Sequence, residues 1–340
     1  QQYSDEQHPK LVLATGYYVE ELNDKARQAG VADILSKPYT AATLGRSLSA
    51  TLSPSAEQPR AVGEAHVRVP DSIRHAPVLV VEDNEINQQV ARELLTSHQF
   101  KVDIAEHGQA ALDAIAQKRY AIVLMDIQMP VMDGLTAAAA IRAQYNYQQL
   151  PILAMTANAM SGDEERSLAA GMQGHIAKPI NEDQLLKAIV KWCVPGDYST
   201  EPADDAADYP VADTATQTKV RYPQTKGIDF DGALARLGNN VELYLKLVAQ
   251  LHDQYQNSAM KVSDFITRGQ HDSARRYFHS LKGAAGNLGL ESLQAKAGEL
   301  EKFMAEGNID KVADQITVLE KRLQHAHQAA SDLDAIQHHQ

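Results

Sequence analysis

The sequence predicts a multidomain protein in which an α/β domain with a doubly wound, five-stranded parallel sheet precedes an all-α helical bundle. Three observations support this fold class. Between residues 76 and 194, short apolar runs alternate with helical patterns five times, as expected for parallel strands joined by crossover helices. Residues 227–340 carry helical patterns without a strand signal. Residues 195–226 are acidic, contain several prolines and few large aliphatic side chains, and therefore predict a flexible linker.

Five strands and five helices are expected in order within the α/β block. Each predicted strand is a short apolar run next to turn residues, and each helix carries apolar residues at intervals of three or four. The strands are predicted at 78–81, 102–104, 122–125, 152–155 and 175–177. One helix follows each strand, the fourth near 164–170 and the fifth from its N-cap, Asn181.

Residues 1–52 repeat the second half of the α/β block: strand, helix, short strand, Lys-Pro, helix. The matching segments are 9–15 with 151–156, and 30–38 with 171–179. We therefore expect the chain to begin inside a truncated copy of the same domain, followed by a linker at 53–75. Two strands bury little surface alone, so this half-domain is expected to be marginally stable unless it docks.

The third block, 227–340, is predicted to be a helical bundle. Helical stretches are expected at 230–237, 241–268, 271–288, 290–306 and 309–335. Glycines lie near their boundaries, as helix stop signals should. These glycines are Gly238, Gly269, Gly289 and Gly307.

Composition narrows the functional classes. The 340 residues have a net charge of −12 and no block rich in lysine and arginine, which argues against a nucleic-acid partner. The single cysteine, Cys193, cannot build a disulfide framework or a cysteine-rich metal site. No stretch reaches the apolar length of a membrane span, and no signal peptide begins the chain. We expect a cytoplasmic location without direct membrane contact.

Reactive side chains end four of the five predicted strands. Glu82 and Asp83 follow the first, Asp126 the third, Thr156 the fourth and Lys178 the fifth. In a doubly wound sheet these ends cluster at the carboxyl edge. Crowded carboxylates repel one another unless a cation binds them, and their oxygens suit Mg²⁺, which can bridge to phosphate.

This set of residues predicts phosphoryl transfer. Asp126 would be the nucleophile, Mg²⁺ and Lys178 would offset the charge of the phosphoryl group, and the Thr156 hydroxyl would hydrogen-bond it. The alternative is that a carboxylate after a strand caps a helix, which for Asp83 alone is the commoner role. Compatible residues in the right order at four strand ends favour the site.

The segments that carry these residues resemble a response-regulator receiver domain, which has a flavodoxin-like sheet. They are Val-Val-Glu-Asp-Asn-Glu-Ile-Asn at 80–87, Leu-Met-Asp-Ile-Gln-Met-Pro-Val-Met-Asp-Gly at 124–134, Met-Thr-Ala at 155–157 and Ala-Lys-Pro at 177–179. The resemblance implies that Asp126 accepts the phosphoryl group. It also implies that Glu82, Asp83, Asp126 and the backbone carbonyl of Gln128 hold Mg²⁺.

Two further positions matter to the comparison with receivers. The resemblance assigns the switch of the family to Thr156 and His175. Receivers often carry Tyr or Phe three residues before the lysine, whereas this chain has His175 there. Residues 1–52 resemble the back half of another receiver, with Thr15 and Lys37 at the matching positions. Its acidic residues would lie outside this chain, so no phosphorylation is predicted there.

A second group of reactive residues lies in the helical stretch 277–289. Its core stripe is Phe278, Leu281, Ala285 and Leu288, and its other face carries His279, Lys282, Gly283 and Gly286. Glycine inside a helix costs about 1 kcal/mol against alanine. Two glycines beside a histidine predict an exposed face that a docking domain can approach closely, with Lys282 neutralising phosphoryl oxygens. A plain surface histidine is the alternative.

The segment His-Ser-Leu-Lys-Gly at 279–283 resembles the His-x-x-Lys-Gly motif of histidine phosphotransfer (HPt) domains, and 229–240 resembles their entry helix. The whole chain resembles the cytoplasmic tail of a hybrid sensor histidine kinase, whose parent protein would be anchored in the inner membrane. The resemblance implies that a histidine kinase catalytic core donates to Asp126. Asp126 would exchange the group with His279, which passes it to a separate response regulator.

Two other functions are compatible with parts of the sequence. A regulatory docking module that gates a kinase with little phosphotransfer of its own is favoured by His175 and by the truncated first receiver. A DNA-binding regulator fits poorly with the net charge of −12. No glycine-rich ATP-binding segment is identified, so we do not expect the chain to phosphorylate itself from ATP.

Overall fold

A computed structural model describes residues 11–15, 31–36, 67–156, 161–196 and 225–337. The chain forms two compact units, residues 1–66 and 67–340. In the first unit, β1 (Leu11–Thr15) and β2 (Val31–Ser36) pair in parallel. This confirms the two strands predicted for the truncated repeat. The helices and Lys37 predicted there lie outside the described residues.

The second unit begins with a five-stranded parallel sheet in the order β4-β3-β5-β6-β7. The strands are β3 (Pro77–Val81), β4 (Lys101–Ala105), β5 (Ile122–Asp126), β6 (Ile152–Thr156) and β7 (Gly174–Ala177). Every residue of β3, β5 and β6 is buried, which explains their unbroken apolar runs. The strand order reverses between β3 and β5, so their carboxyl ends flank the crevice where such sheets bind ligands.

Helices cover both faces of this sheet, as predicted. They are α1 (Glu85–Ser97), α2 (Gly108–Gln117), α3 (Gly134–Arg142), α4 (Ser161–Ala169) and α5 (Glu182–Trp192). Asn84 caps α1 by accepting from the backbone N–H groups of Ile86 and Asn87, and Asn181 caps α5. One apolar cluster contains the buried residues of α1 and α5, and a second contains those of α2 and α3.

The predicted linker at 53–75 is corrected at its end. Residues Asp71–Ile73 form a 3₁₀ turn, and Val69 and Ile73 are buried in the same apolar cluster as α1. Two apolar side chains in a polar stretch are enough to attach this segment to the core, because each gains free energy by leaving water. The folded part of the second unit therefore begins before residue 76.

The C-terminal part is a helical bundle, as predicted. Its helices are α6 (Phe230–Arg236), α7 (Val241–Tyr255), α8 (Ser258–Thr267), α9 (His271–Asn287), α10 (Glu291–Ala305) and α11 (Ile309–Gln337). The prediction of a single helix at 241–268 is wrong, because the helix is interrupted by a turn at Gln256 and Asn257. The four glycines predicted to stop helices all have positive φ, the conformation that favours glycine there.

Helix α1 joins the sheet domain to the bundle. It packs against α9 and also contacts α6 and α7, and the apolar cluster of α1 continues without interruption into the bundle core. Because α1 begins at the carboxyl end of β3, this packing brings α9 next to the edge of the sheet where the acidic residues lie.

Candidate functional site

Three carboxylates meet at the carboxyl edge of the sheet. One oxygen from each of Glu82, Asp83 and Asp126 lies within 4.8 Å of the others. Glu82 and Asp126 are each only 2% exposed. The predicted convergence of the ends of β3 and β5 is therefore present in the structure.

Lys178 lies among these acids. Its Nζ atom donates to Oε2 of Glu82 at 2.5 Å and to Oδ2 of Asp126 at 2.6 Å, and its side chain is 3% exposed. Burial alone would lower the pKa of Lys178, but Asp126 and Glu82 raise it above its usual range. Lys178 is therefore a permanent cation in the site.

One lysine does not balance three acids. Burial raises the pKa of Glu82 to about 7, with Asp126 and Asp83 adding to the rise and Lys178 opposing it. Burial, followed by the charge of Asp126, raises the pKa of Asp83 to about 6. The raised pKa values show that the negative charges of these carboxylates are poorly compensated. A small divalent cation that prefers oxygen ligands, such as Mg²⁺, would compensate them.

Asp126 faces a cavity of about 350 Å³ between the sheet domain and the bundle. The cavity is lined by Asp126, Ile127, Gln128, Met155 and Thr156 from the sheet domain, and by Arg275, His279, Lys282, Gly298, Glu301, Lys302 and Ala305 from the bundle. The two predicted reactive residues, Asp126 and His279, therefore share one cavity, together with Thr156 and Lys282. Gln128, whose backbone carbonyl is the predicted metal ligand, also lines it, and its N–H donates to Asp126 Oδ1 at 3.2 Å.

His279 is oriented by an acid that no sequence pattern predicts. Its Nδ1 atom lies 2.7 Å from Oε1 of Glu301 in α10, and Lys282 Nζ donates to Oε2 of the same carboxylate at 3.1 Å. Burial alone would raise the pKa of Glu301, but the hydrogen bond and charge of His279, with Lys282, lower it below its usual value. An ionised carboxylate only accepts, so Nδ1 carries a proton, and in the neutral form of the ring Nε2 is the nitrogen with a free lone pair.

The prediction that His279 lies on an exposed face is wrong for this arrangement. His279 is 8% exposed, because the sheet domain covers that side of α9.

The prediction that glycines beside His279 allow a domain to approach closely holds at one of the two positions. A side chain at Gly283 would meet Asn87 Nδ2 of α1 at 3.2 Å, whereas one at Gly286 would meet Gln294 inside the bundle at 2.5 Å. Gly283 thus permits docking between the domains, and Gly286 permits close packing of α9 on α10.

The cavity carries more positive charge than the sequence suggested. Arg275, whose positive charge the sequence places near His279 on the same helix, lines it beside Lys282, and so does Lys302, for which no role was predicted. Lys302 and Glu301 belong to α10, far along the chain from His279, so their relation to the histidine depends on how α9 and α10 pair. Three cations at one wall suit a doubly charged phosphoryl group.

Polar contacts hold α9 on the sheet domain. Asn84 Nδ2 donates to Oγ of Ser280, the residue after His279, at 2.9 Å. Farther along α9, Asn287 bonds both Asn87 and the backbone of Ile180. These residues also had no assigned role from the sequence, because each pairs with a partner in the other domain.

His175, the predicted second switch residue, lies away from this cavity. It belongs to β7, and its Nδ1 atom lies 3.6 Å from Glu164 Oε1. It lines a separate groove together with Leu153, Lys187 and Trp192. The structure therefore places Thr156 at the cavity and His175 in a different depression of the sheet domain.

In the described part of the chain, none of the helices combines the length and apolar character needed to cross a membrane.

Comparisons with known proteins divide the chain in two. Residues 78–190 match the response regulator receiver domain, and residues 240–331 match the Hpt domain. Sensor protein GacS of Pseudomonas syringae pv. syringae is 38% identical over 160 residues, which cover 46% of this chain and 17% of the relative. Signal transduction histidine-protein kinase BarA of Escherichia coli strain K12 is 25% identical over 304 residues, covering 87% of this chain and 31% of the relative.

Among solved structures, the receiver domain of a sensor histidine kinase from Pseudomonas aeruginosa PAO1, which holds a magnesium ion in its active site cleft, is 40% identical. The match covers 34% of this chain and 96% of that domain, with a TM-score of 0.33. The chain spans less than a third of the length of the two curated relatives, since it covers 17% of one and 31% of the other.

Proposed function

Because the chain belongs to the two-component signalling proteins and joins a receiver domain to an Hpt domain, we propose that it is a phosphorelay module in which Asp126 and His279 exchange a phosphoryl group. The observation that carries the proposal is that both side chains line one cavity between the domains. In this proposal the domains are those predicted from the sequence, 76–194 (receiver) and 227–340 (Hpt), with the segment at 69–75 packed onto the receiver. A linker at 195–226 joins them, and a half-receiver at 1–52 precedes them.

The receiver domain prepares the acceptor. Glu82, Asp83, Asp126 and the backbone carbonyl of Gln128 would hold Mg²⁺, whose charge would stabilise the phosphoryl oxygens when it is bound. Lys178 adds a second, permanent cation beside Asp126. An Asp126 oxygen attacks the phosphorus of a donor phosphohistidine. The new P–O bond forms as the donor N–P bond breaks, and the bonding electrons return to the donor nitrogen.

The Hpt domain then takes the group. The Nε2 lone pair of His279 attacks phosphorus, an N–P bond forms, and the P–O bond to Asp126 breaks with its electrons returning to the carboxylate. No proton has to leave, because the hydrogen on Nδ1 stays in its hydrogen bond to Glu301. Glu301 thereby stabilises the positive charge that the ring acquires. Arg275, Lys282 and Lys302 surround the transferring oxygens with positive charge.

The partners follow from this chemistry. The donor would be the phosphohistidine of a histidine kinase catalytic core, belonging to the same parent protein, and the final acceptor would be the aspartate of a separate response regulator. The relatives' full activities belong to proteins of which this chain covers only 17% and 31%. The parent protein is proposed to be anchored in the inner membrane, with this part in the cytoplasm.

The test supplies phosphorylated kinase core and Mg²⁺ to the full chain and follows label. Asp126→Asn is expected to prevent labelling of both residues, and His279→Gln to leave label on Asp126 alone. His271→Gln, on the same helix, is the control and should transfer normally. If Asp126→Asn and His279→Gln both label like the unsubstituted chain, the proposal fails. A chain that never takes label and shows no Mg²⁺-dependent beryllofluoride binding would instead be a docking module.

A further inference from the structure

Three consecutive hydrogen bonds link two parts of the receiver, and one of the two side chains in the middle of the series belongs to the Hpt domain. The backbone N–H of Ile180 donates to Asn287 Oδ1 at 2.9 Å, and Asn287 Nδ2 donates to Asn87 Oδ1 at 2.8 Å. Asn87 Nδ2 in turn donates to Oε1 of Glu82 at 2.8 Å. Asn287 belongs to the bundle, whereas the other three residues belong to the sheet domain.

The direction of this chain of bonds is set at its two ends. A backbone N–H can only donate, so Asn287 must present its oxygen to Ile180 and its NH₂ group to Asn87. Asn87 must then present its oxygen to Asn287 and its NH₂ group to Glu82. Each carboxamide therefore has one orientation that satisfies both of its neighbours, and a carboxylate or an apolar side chain at either position breaks the sequence of bonds.

Both ends of this series of hydrogen bonds lie at the acceptor site. Ile180 is two residues after Lys178 in the sequence, and Glu82 is one of the two carboxylates that Lys178 binds. Both oxygens of Glu82 are thus occupied, one by Lys178 and the other by Asn87. The side-chain oxygen of Asn87 receives its hydrogen bond only when the Hpt domain is docked, because the donor is the NH₂ group of Asn287.

We propose that Asn287 is a positioning residue for the transfer between Asp126 and His279, and that its pairing with Asn87 makes the Hpt domain selective for a receiver that carries a carboxamide at this position. The inference deepens the proposed function and rests on it. Docking through Asn287 holds α9 in the register that places His279 at the cavity, and it fixes the Glu82 carboxylate on the receiver side.

Burial gives the pairing its selectivity. Asn287 is fully buried and Asn87 is 2% exposed, although both would meet water if the domains separated. A receiver without the carboxamide would leave a desolvated NH₂ group of Asn287 unpaired. Such a loss is expected to weaken docking about ten- to a hundredfold.

The experiment is a double-substitution cycle in the full chain with Asn87→Ala, Asn287→Ala and the pair combined. The first readout is the rate of transfer from labelled Asp126 to His279. The second is hydrogen–deuterium exchange at the Ile180 amide, which reports the bond to Asn287 directly. Each single change is expected to slow transfer at least about tenfold and to speed exchange at Ile180. The double variant should be no slower than the slower single one.

Two of the variants separate positioning from folding, and a third serves as the control. Asn87 lies outside the bundle, so its effect on exchange and transfer does not arise from an unfolded Hpt domain. Asn287→Asp keeps the size of the side chain and its acceptor for Ile180 but cannot donate to Asn87, so it should slow transfer like Asn287→Ala. Gln250→Ala removes a different interdomain bond, to Glu85 at the exposed rim, and should leave both readouts unchanged.

Additive effects of the two alanine changes, or normal transfer by Asn287→Asp, would overturn the inference while label still reached His279, leaving the proposed function intact. If the unsubstituted chain never passed label to His279, the proposed function would fail, and the role of Asn287 in transfer would fail with it. In that case unchanged exchange at Ile180 in all variants would also exclude the docking contact.

Discussion

The Nδ1 atom of His279 lies 2.7 Å from Oε1 of Glu301, so the histidine that faces Asp126 across the cavity has one nitrogen engaged and one available. The acid comes from the neighbouring helix α10 and is held in place by Lys282 as well. It orients the ring and stabilises its charge, the two roles that an acid plays behind a nucleophilic histidine.

The first prediction concerns Glu301. Glu301→Ala should slow transfer from Asp126 to His279 at least about tenfold, equivalent to about 1.4 kcal/mol of activation free energy, because ring orientation and charge are both lost. Glu301→Gln, which keeps an acceptor, should have a smaller effect. Rapid-quench measurement of both labelled residues would test this. Glu299→Gln on the same helix is the control, since Glu299 pairs with Lys296 instead. Normal transfer by Glu301→Ala would exclude the role.

The second prediction concerns Lys178. Lys178→Met leaves Glu82 and Asp126 buried without their cation and should lower the free energy of unfolding by about 3–5 kcal/mol in the absence of metal. Mg²⁺ should restore part of that loss by replacing the missing charge. Chemical denaturation with and without Mg²⁺ measures both effects. Lys118→Met is the matched control, because its ion pair with Asp103 is about two-fifths exposed and should contribute little.

The third prediction is a pH dependence of metal binding. The pKa of Glu82 rises from 4.5 to about 7 and that of Asp83 from 3.8 to about 6. The folded, metal-free protein therefore binds these protons more tightly than the unfolded chain, and their contribution to stability is lost as pH rises from about 4 to about 7. Mg²⁺ competes with the same protons, so the rise in melting temperature on adding Mg²⁺ should grow over that range.

Thermal unfolding at a series of pH values, with and without Mg²⁺, measures this effect. Asp83→Asn removes one of the titrating ligands and should flatten the dependence. A shift in melting temperature that stays constant between about pH 5 and pH 8 would contradict the assignment of these acids as the metal site.

The fourth prediction separates stability from docking at Gly283. Leucine at this position should raise the stability of the Hpt domain, since glycine inside a helix costs about 1 kcal/mol. It should nevertheless slow transfer from Asp126, because even the first carbon of a side chain would lie 3.2 Å from Asn87 of the receiver. Unfolding experiments and transfer rates on the same variant give the two opposite results. Transfer at the normal rate would show that α9 does not approach the receiver through this face.

The fifth prediction concerns His175. It lies in a groove apart from the cavity, so His175→Ala should leave labelling of Asp126 and transfer to His279 within about twofold of the unsubstituted rates. A much larger loss in the same labelling assay would restore His175 to the switch role that its position in β7 suggested.

Most of the fold could be predicted from local patterns. The buried strands β3, β5 and β6 appear as continuous apolar runs because both faces of the sheet are covered. The break between α7 and α8 was missed because Leu251, Tyr255 and Val262 are all buried in the bundle, so the apolar periodicity continues across it. The adjacent Asn257 and Ser258, typical of helix starts, were the available signal.

The candidate site was predictable where one rule applied to one strand end. Glu82, Asp126 and Lys178 could be grouped because parallel strands align their carboxyl ends. Glu301 could not, because its distance from His279 depends on the pairing of two helices that sequence spacing does not specify. The exposure of His279 was mispredicted for a related reason, since the surface that covers it belongs to another domain of the same chain.

The covering of His279 by the receiver also imposes an order of events. A side chain that is 8% exposed can face one aspartate at a time, so in the proposed relay an outside regulator would have to wait until the receiver leaves. The rate of onward delivery should therefore reach a plateau as regulator concentration increases, and the height of that plateau is the rate at which the two domains separate. The overall rate of phosphoryl transfer to the regulator would then be limited by departure of the 76–194 receiver as much as by chemistry.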